Sequence, residues 1–204
     1  MSFLNVEKAI EEFRKGNFVI VVDNKRRENE ADLVAAAEKI SSKKINFMIT
    51  HARGLVCVPM LGRRLDELNL PLMTRMNTEF TKCAFTVSAD AKKSTTTGIS
   101  AYDRARTIKA LVDKNTKPDD LARPGHVFPL RCDQSGLKKR QGHTEAAIEL
   151  AKLSNLYPAA VICEIIGENG KMAKMPELRR MAGKHGIRMI SIKDLVEFIR
   201  INQQ

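Results

Sequence analysis

Six short, mainly apolar runs constrain the fold of this chain more than any other feature. Each covers four to seven residues, and a charged residue directly follows three of them. Runs of this length are typical of buried β-strands, and several segments between them have the spacing of amphipathic helices. Strands and helices do not alternate regularly, so the pattern predicts a single compact α+β domain over residues 1–204, with a mixed sheet and surrounding helices. The runs lie at 18–22, 33–37, 55–59, 126–130, 159–165 and 187–190.

Three local patterns add predictions about individual elements. Apolar and polar residues alternate over 83–89, which predicts a half-buried strand. Pro129 lacks a backbone N–H, so the strand at 126–130 is expected at an edge of the sheet. Thr144 precedes a helical apolar pattern and is expected to cap that helix.

An acidic stretch follows the first apolar run. Glu28, Glu30 and Asp32 are spaced two apart and come directly after a basic cluster. In an extended chain these three side chains point to the same side, where they repel each other unless a cation lies among them. Magnesium takes oxygen ligands of this kind. The alternative is a solvated turn that carries mixed charges.

A second polar segment, residues 140–145, has the composition of an anion site. Arg140 supplies a fixed positive charge, Gly142 lets the backbone approach a ligand, and a helix is predicted to begin beside them. His143 could complete a metal site together with a carboxylate of the acidic stretch. The alternative is an ordinary helix cap after a basic loop.

Three further residues are candidates for chemistry, each with a structural alternative. His126 follows Arg-Pro-Gly at a strand entrance, where it is either a core histidine or a general acid or base. Glu164 ends an apolar strand, where a carboxylate must be paired or functional. Cys57 lies in an apolar strand, and a buried small hydrophobe is its default role.

Composition narrows the possible partners. The net charge of +11 favours an anionic partner, but the basic residues are scattered and there are no tryptophans and only two tyrosines to stack bases. An RNA-binding module therefore remains a weak alternative. The four cysteines are far apart, which predicts reduced thiols, and no signal peptide or membrane-length apolar run is present. The residues alone predict an intracellular, metal-dependent enzyme that acts on a small anionic substrate.

The same residues resemble the 3,4-dihydroxy-2-butanone 4-phosphate synthase family of riboflavin biosynthesis. One position departs from the family pattern, because Ala31 stands where a glycine is usual. If that position needed a positive φ, alanine would cost about 1 kcal/mol. The matching motifs are Asp23 with Arg27 to Asp32, Gly-Leu-Val-Cys at 54–57, Thr-Thr-Gly-Ile-Ser at 96–100, Arg-Pro-Gly-His-Val-Phe-Pro-Leu-Arg at 123–131, Gly-His-Thr-Glu-Ala at 142–146 and Cys-Glu at 163–164.

The resemblance implies a lyase that converts D-ribulose 5-phosphate into 3,4-dihydroxy-2-butanone 4-phosphate and formate, with magnesium or manganese. It also implies a cytoplasmic homodimer whose active sites lie at the subunit interface, with no nucleic-acid or membrane partner. The chain shows no second catalytic domain, so a monofunctional form is expected. By motif, the metal ligands are Glu28 and His143; the substrate-binding residues are Arg27, Glu28, Asp32, Arg140, Gln141, Gly142, His143 and Thr144; the catalytic residues are His126 and Glu164, with Glu30 and Cys57 close enough for proton transfer.

Overall fold

A computed structural model describes residues 3–24 and 27–202, with side chains described from residue 5 onward. Seven strands form one sheet, and helices cover both of its faces. The strands are β1 (Val19–Val22), β2 (Ala31–Ala36), β3 (Cys57–Met60), β4 (Ala89–Ala91), β5 (Leu121–Arg131), β6 (Ala160–Glu164) and β7 (Arg188–Ser191). The helices are α1 (Phe3–Lys15), α2 (Ser42–Phe47), α3 (Gly62–Glu67), α4 (Ala101–Val112), α5 (His143–Leu153), α6 (Met175–His185) and α7 (Ile192–Asn202).

The sheet is mixed, as predicted. Its order is β4-β5-β3-β6-β2-β1-β7. Strand β2 runs antiparallel to both β1 and β6, whereas β3 with β5 and β1 with β7 are parallel pairs. Because β2 and β6 lie at the centre, the ends of these two strands are held by neighbours on both sides.

Alternate residues of the central strands feed two separate cores. Val34 and Ile162 belong to the core that α1, α5 and α7 cover, whereas Leu33 and Val161 belong to the core beneath α2, α3, α4 and α6. The β-branched and aliphatic runs are apolar on both faces for this reason. Among the described residues, no helix is long and apolar enough to cross a membrane.

Several helix boundaries follow from local chemistry. The Oγ of Ser100 accepts a hydrogen bond from the N–H of Asp103 at 3.0 Å and caps α4. The Oγ of Ser191 does the same for Asp194 at 3.0 Å, at the start of α7. Pro176 lies in the first turn of α6, where its missing N–H removes no helical bond. The sequence predicts all three boundaries, because each of the two serines precedes an aspartate by three residues and proline is favoured in the first turn of a helix.

Three local predictions are wrong. The strand containing Pro129 is paired with β3 on one side and β4 on the other, so it does not lie at an edge. The N–H and C=O of one strand residue point to the same neighbour. For Pro129 that neighbour is Thr86, whose N–H donates to the Pro129 carbonyl, and the missing proline N–H costs this isolated contact only one hydrogen bond. The strand predicted over 83–89 is also wrong, because Phe85 and Thr86 form only isolated bridges and β4 begins at Ala89. Helix α5 is capped by Gly142 without a side-chain bond, and Thr144 lies inside its first turn.

Candidate active site

The candidate site lies where the N-terminus of α5 meets the sheet. Asp32 and Glu164 are direct partners in the β2–β6 pair, so their side chains share one face of the sheet. Ile162 is two residues before Glu164 and pairs with Cys57 of β3, which brings three strands to the same place. A cleft of about 210 Å³ opens here. Its lining includes Arg27, Glu28, Glu30, Asp32, Cys57, Arg140, His143, Thr144 and Glu164, all predicted site residues.

Asp23 organises the acidic loop at the mouth of this cleft. Its carboxylate accepts the N–H of Glu28 at 3.1 Å and the N–H of Glu30 at 3.2 Å. It also pairs with the Arg27 guanidinium at 3.1 Å. The loop is therefore turned, not extended as the alternating acids suggested. The acids reach one cleft because Asp23 holds their backbone.

Ala31 carries no left-handed strain. It is the first residue of β2 and pairs with Val22 in the antiparallel ladder. The positive φ of this loop is at Asn29, with φ 56°. Asparagine tolerates that region better than alanine does. The expected cost of alanine in place of glycine does not arise.

His143 is a buried histidine that faces two carboxylates. Its Nδ1 lies 3.5 Å from Glu28 Oε2 and 3.9 Å from Asp32 Oδ1. Burial raises the pKa of Asp32 to about 7. Burial alone would lower the pKa of His143, but the negative charges of Asp32 and Glu28 outweigh it and raise that pKa to about 9. The three groups form one electrostatically coupled cluster, which we call the acid–histidine cluster.

The acid–histidine cluster fits a divalent cation. Within the described part of the chain, His143 Nε2 and Asp32 Oδ1 are buried without a hydrogen-bond partner. Buried polar atoms of this kind are costly unless a ligand satisfies them. Asp23, Glu28 and His143 offer ligand atoms that all lie within 4.8 Å of one another. Since the Asp23 oxygens already accept the loop N–H groups, Glu28 and His143 are the groups best placed to hold the ion.

Two arginines flank the start of α5 and make it suited to an anion. The Nη1 of Arg140 donates to Glu145 Oε2 at 2.6 Å, and Glu145 is fully buried. A Cβ added at Gly142 would lie 2.6 Å from Arg140 Nη1 and 3.1 Å from Arg27 Nη2. A side chain at position 142 would therefore displace the Arg140 guanidinium and crowd that of Arg27. A helix N-terminus with arginines beside it is suited to binding an anion.

The remaining groups of the cleft differ in their ability to move protons. The Oε2 of Glu164 accepts the N–H of Leu55 at 2.8 Å, which fixes that carboxylate at the end of β6. Burial, then the charge of Glu28, raises the pKa of Glu30. Burial raises the pKa of the Cys57 thiol far above its usual range, so that thiol stays neutral. It can therefore donate a hydrogen bond, but it is neither a ready proton donor nor a resting base.

Three predicted site residues, His126, Gln141 and Gly142, are not among the residues that line the cleft. Gln141 is exposed and lines a neighbouring cleft with Asp23 and Arg27. His126 lies on β5, two residues before the strand partner of Cys57, and its side chain is 43% exposed. Gly142 contributes through its backbone as the cap of α5.

Sequence reasoning missed several residues that build the site. Asp23 was noted only as part of a motif, although an Asp just before a turn is a common acceptor of loop N–H groups. Glu145, which holds Arg140, was taken only as part of the helix start. Glu79 and Thr81 line the cleft from a segment without a recognisable pattern. No local signal marked these last two.

Comparison with known proteins agrees with this geometry. A family model described as 3,4-dihydroxy-2-butanone 4-phosphate synthase matches residues 7–198. The enzyme of that name from Agrobacterium fabrum is 50% identical over 200 residues, which are 98% of this chain and 94% of that protein. The riboflavin biosynthesis protein RibBA of Aquifex aeolicus is 52% identical over 198 residues, 96% of this chain but 49% of that protein.

Solved structures show the same fold. A crystal structure of 3,4-dihydroxy-2-butanone 4-phosphate synthase in complex with two magnesium ions matches with a TM-score of 0.92 and 38% identity, over 97% of each chain. A cation-free form of the enzyme matches with a TM-score of 0.90 and 37% identity, over 98% of each chain. The chain described here belongs to the 3,4-dihydroxy-2-butanone 4-phosphate synthase family.

Proposed function

We propose that this protein converts D-ribulose 5-phosphate into 3,4-dihydroxy-2-butanone 4-phosphate and formate, in a magnesium-dependent reaction of riboflavin biosynthesis. One observation carries the proposal. A buried cluster of carboxylates and a histidine, with unsatisfied polar atoms, lies beside two arginines at a helix N-terminus. A cation site next to an anion site suits a phosphorylated polyol.

Glu28 and His143 hold the divalent ion in this proposal. Magnesium is the expected ion, and manganese accepts similar ligands. When bound, the ion supplies a Lewis acid for the oxygens of the sugar. The acid–histidine distances of 3.5 Å and 3.9 Å support the placement, because these side chains already converge on a common point. Asp23 supports the site indirectly, by holding the backbone of the loop.

The residues at the start of α5 bind the substrate phosphate in this proposal. Arg140 is fixed by buried Glu145, and Arg27 approaches the same backbone from the acidic loop. The N–H groups of Gly142, His143 and Thr144 belong to the first turn, which favours an anion. Gln141 contributes as part of this segment, from the side of the neighbouring cleft. Asp32 binds substrate hydroxyl groups.

Proton transfers are assigned to the carboxylates that face the cleft. The reaction removes a proton beside a carbonyl and delivers protons to a departing hydroxyl group and to carbon, so it needs several acids and bases. Glu164 is held by the Leu55 N–H, and Glu30 faces the cleft from the loop. Cys57 lines the same cleft and takes part as a neutral thiol that donates a hydrogen bond. His126 is assigned the remaining proton transfer.

A homodimer accounts for the position of His126. Its exposed ring is not part of the cleft lining of its own chain within the described residues. A second copy that brings its His126 over the cleft would complete the site, and the apolar surface beside the cleft suits such a contact. Met76 is 77% exposed and Phe80 is 90% exposed, directly before cleft residue Thr81. The active sites then lie at the subunit interface.

The remaining parts of the proposal concern the extent and location of the protein. Elements from Phe3 to Asn202 contribute to a single sheet and its two helical layers, which supports one synthase domain over residues 1–204. A cytoplasmic location is supported by the biosynthetic role of the family. We assign no nucleic-acid or membrane partner.

The test is formate release from D-ribulose 5-phosphate. We expect formate in the presence of Mg²⁺, loss of formate after a chelator is added, and recovery when excess Mg²⁺ is restored. Absence of formate at saturating Mg²⁺ and substrate would refute the proposed activity. Formate release that a chelator leaves unchanged would refute the metal requirement alone.

A further inference from the structure

Asp90 and His126 form a partly buried contact that lies apart from the acid–histidine cluster. Both residues lie on neighbouring strands at one end of the sheet, Asp90 on β4 and His126 on β5. One carboxylate oxygen, Oδ1, accepts the backbone N–H of His126 at 2.9 Å. The other, Oδ2, lies 2.7 Å from His126 Nδ1. The carboxylate therefore contacts both the backbone N–H and the ring of the same histidine.

This double contact determines which ring nitrogen carries the proton. An ionised carboxylate has only acceptor atoms, so the Nδ1 beside it must be a donor. In a neutral imidazole the other nitrogen, Nε2, is then free of hydrogen and can accept a proton. Asp90 is buried whereas His126 is exposed, so the free nitrogen belongs to the part of the ring away from the carboxylate.

Gly98 packs directly against the contact between Asp90 and His126. Its φ is +96°, a conformation that side chains rarely adopt. A Cβ at this position would lie 2.1 Å from Asp90 Oδ2 and 2.6 Å from His126 Nδ1. The Gly98 N–H in turn donates to the buried carboxylate of Asp103 at 3.1 Å. The loop before α4 is thus anchored tightly against the Asp90–His126 contact and leaves the ring little room to turn.

We propose that Asp90 is a positioning residue that holds His126 as the Nδ1–H tautomer, so that Nε2 is the atom that exchanges protons with the substrate. This inference rests on the proposed function, because it assumes that His126 acts in the reaction. Its structural half does not depend on activity. The tautomer of His126 can be measured in the absence of substrate.

Asp90→Asn is the sharpest variant because it is nearly isosteric but has only one oxygen, so it cannot accept hydrogen bonds from both the backbone N–H and Nδ1 of His126. The backbone N–H of His126 can only donate, so the amide oxygen of the asparagine must face it. The amide NH₂ then faces Nδ1, which must become an acceptor, and the proton moves to Nε2. The variant therefore inverts the tautomer while it keeps the shape of the site. Asp119→Asn is the matched control, since Asp119 is exposed.

Nitrogen-15 NMR of the full-length protein, at a pH where the imidazole is neutral, reports the tautomer directly. The His126 signals are assigned by their absence in His126→Gln. We expect Nδ1–H in the wild type and in Asp119→Asn, and Nε2–H in Asp90→Asn. An Nε2–H tautomer in the wild type would overturn the proposal even if Asp90→Asn did not fold. An unchanged tautomer in a folded Asp90→Asn would overturn it as well.

Formate release supplies the second readout. We expect Asp90→Asn to lose about 10²-fold in kcat with little change in KM, and Asp119→Asn to match the wild type. The double variant Asp90→Asn/His126→Gln should be no slower than His126→Gln alone, because Asp90 acts through the histidine. Losses that multiply in the double variant would contradict this. If the wild type releases no formate, the proposed function fails, and the tautomer measurement still decides the role of Asp90.

Discussion

The acid–histidine cluster and the Asp90–His126 pair are both carboxylate–histidine contacts, but they differ in the spacing of the two groups and in the exposure of the ring. In the cluster, Nδ1 of His143 is 3.5 Å from its nearest carboxylate and its Nε2 is buried without a partner. In the pair, the contact is 2.7 Å and the ring is 43% exposed. The cluster is suited to binding a cation within one chain, whereas the exposed ring of the pair faces outward, where a second chain could meet it.

This difference distinguishes a site that binds an ion from a site that acts together with another surface. Loosely spaced, buried and unsatisfied ligand atoms indicate that an ion belongs among them. A tightly oriented but exposed histidine indicates a group that acts on a ligand held by another surface. The cluster is therefore expected to respond to metal, and the pair to respond to a second subunit.

The largest effect is expected for Glu28→Gln. The amide keeps the shape of the side chain but removes the charge that the ion requires, and loss of metal stabilisation is worth several kcal/mol, so kcat should fall about 10⁴-fold. Mg²⁺ should also cease to raise the melting temperature of this variant. The exposed Glu168→Gln is the matched control. A Glu28→Gln enzyme that kept full activity and metal-dependent stabilisation would remove Glu28 from the metal site.

His126→Gln should lose about 10³-fold in kcat, as expected for removal of a general acid or base. In contrast to Glu28→Gln, it should retain its stabilisation by Mg²⁺, since His126 lies outside the acid–histidine cluster. Loss of metal stabilisation in His126→Gln would show that the two regions are not independent.

Mixing the two inactive variants tests whether the regions meet across a dimer. After subunits exchange, half of the dimers contain one of each variant, and one of their two sites combines an intact Glu28 with an intact His126. We expect recovery to about a quarter of wild-type activity for a closed two-fold dimer. Unmixed variants incubated in the same way are the control. No recovery despite demonstrated exchange would mean that one chain supplies the whole site.

The smallest effect concerns pH and the metal-free protein. The Asp32 pKa of about 7 exceeds its ordinary 3.8, so the folded state holds this proton more tightly than the unfolded chain. The resulting stability is present below pH 3.8 and is lost as pH rises to about 7. The Asp32→Asn variant should therefore melt about 5 °C higher than the wild type at pH 8 without metal. Its melting temperature should also vary less with pH.

The exposed Asp119→Asn again serves as the control for this comparison. With saturating Mg²⁺, the difference in melting temperature between Asp32→Asn and the wild type should decrease, because the ion stabilises the ionised ligands of the wild type. If metal-free Asp32→Asn melts at a lower temperature than the wild type at pH 8, the ionised Asp32 carboxylate does not destabilise the folded protein.

Local chemistry allowed much of the fold to be predicted. The caps Ser100 and Ser191 depend on residues within a few positions, and these predictions were confirmed. The edge assignment for Pro129 failed because pairing on the far side depends on distant residues. Thr144 has the chemistry of a cap, but Gly142 takes that position so that Arg27 and Arg140 can approach.

The site was predictable as a set of residues but not as a geometry. The segments that carry Asp32, Glu164 and His143 are far apart in the chain. Residue chemistry suggested a metal site shared by His143 and the acidic stretch, but only the resemblance to a family added Glu164 to the same site. The alternation of Glu28, Glu30 and Asp32 suggested one extended face, whereas the hydrogen bonds to Asp23 turn the loop. The contact between Asp90 and His126 depends on strand pairing and on Gly98, which no local pattern revealed.

The most direct test of the metal site is anomalous diffraction from crystals of the full-length protein soaked with Mn²⁺, which absorbs where Mg²⁺ is silent. We expect an anomalous peak within coordination distance of both the Glu28 carboxylate and the His143 imidazole. A well-occupied peak elsewhere, with neither side chain as a ligand, would contradict the assignment of the acid–histidine cluster as the metal centre.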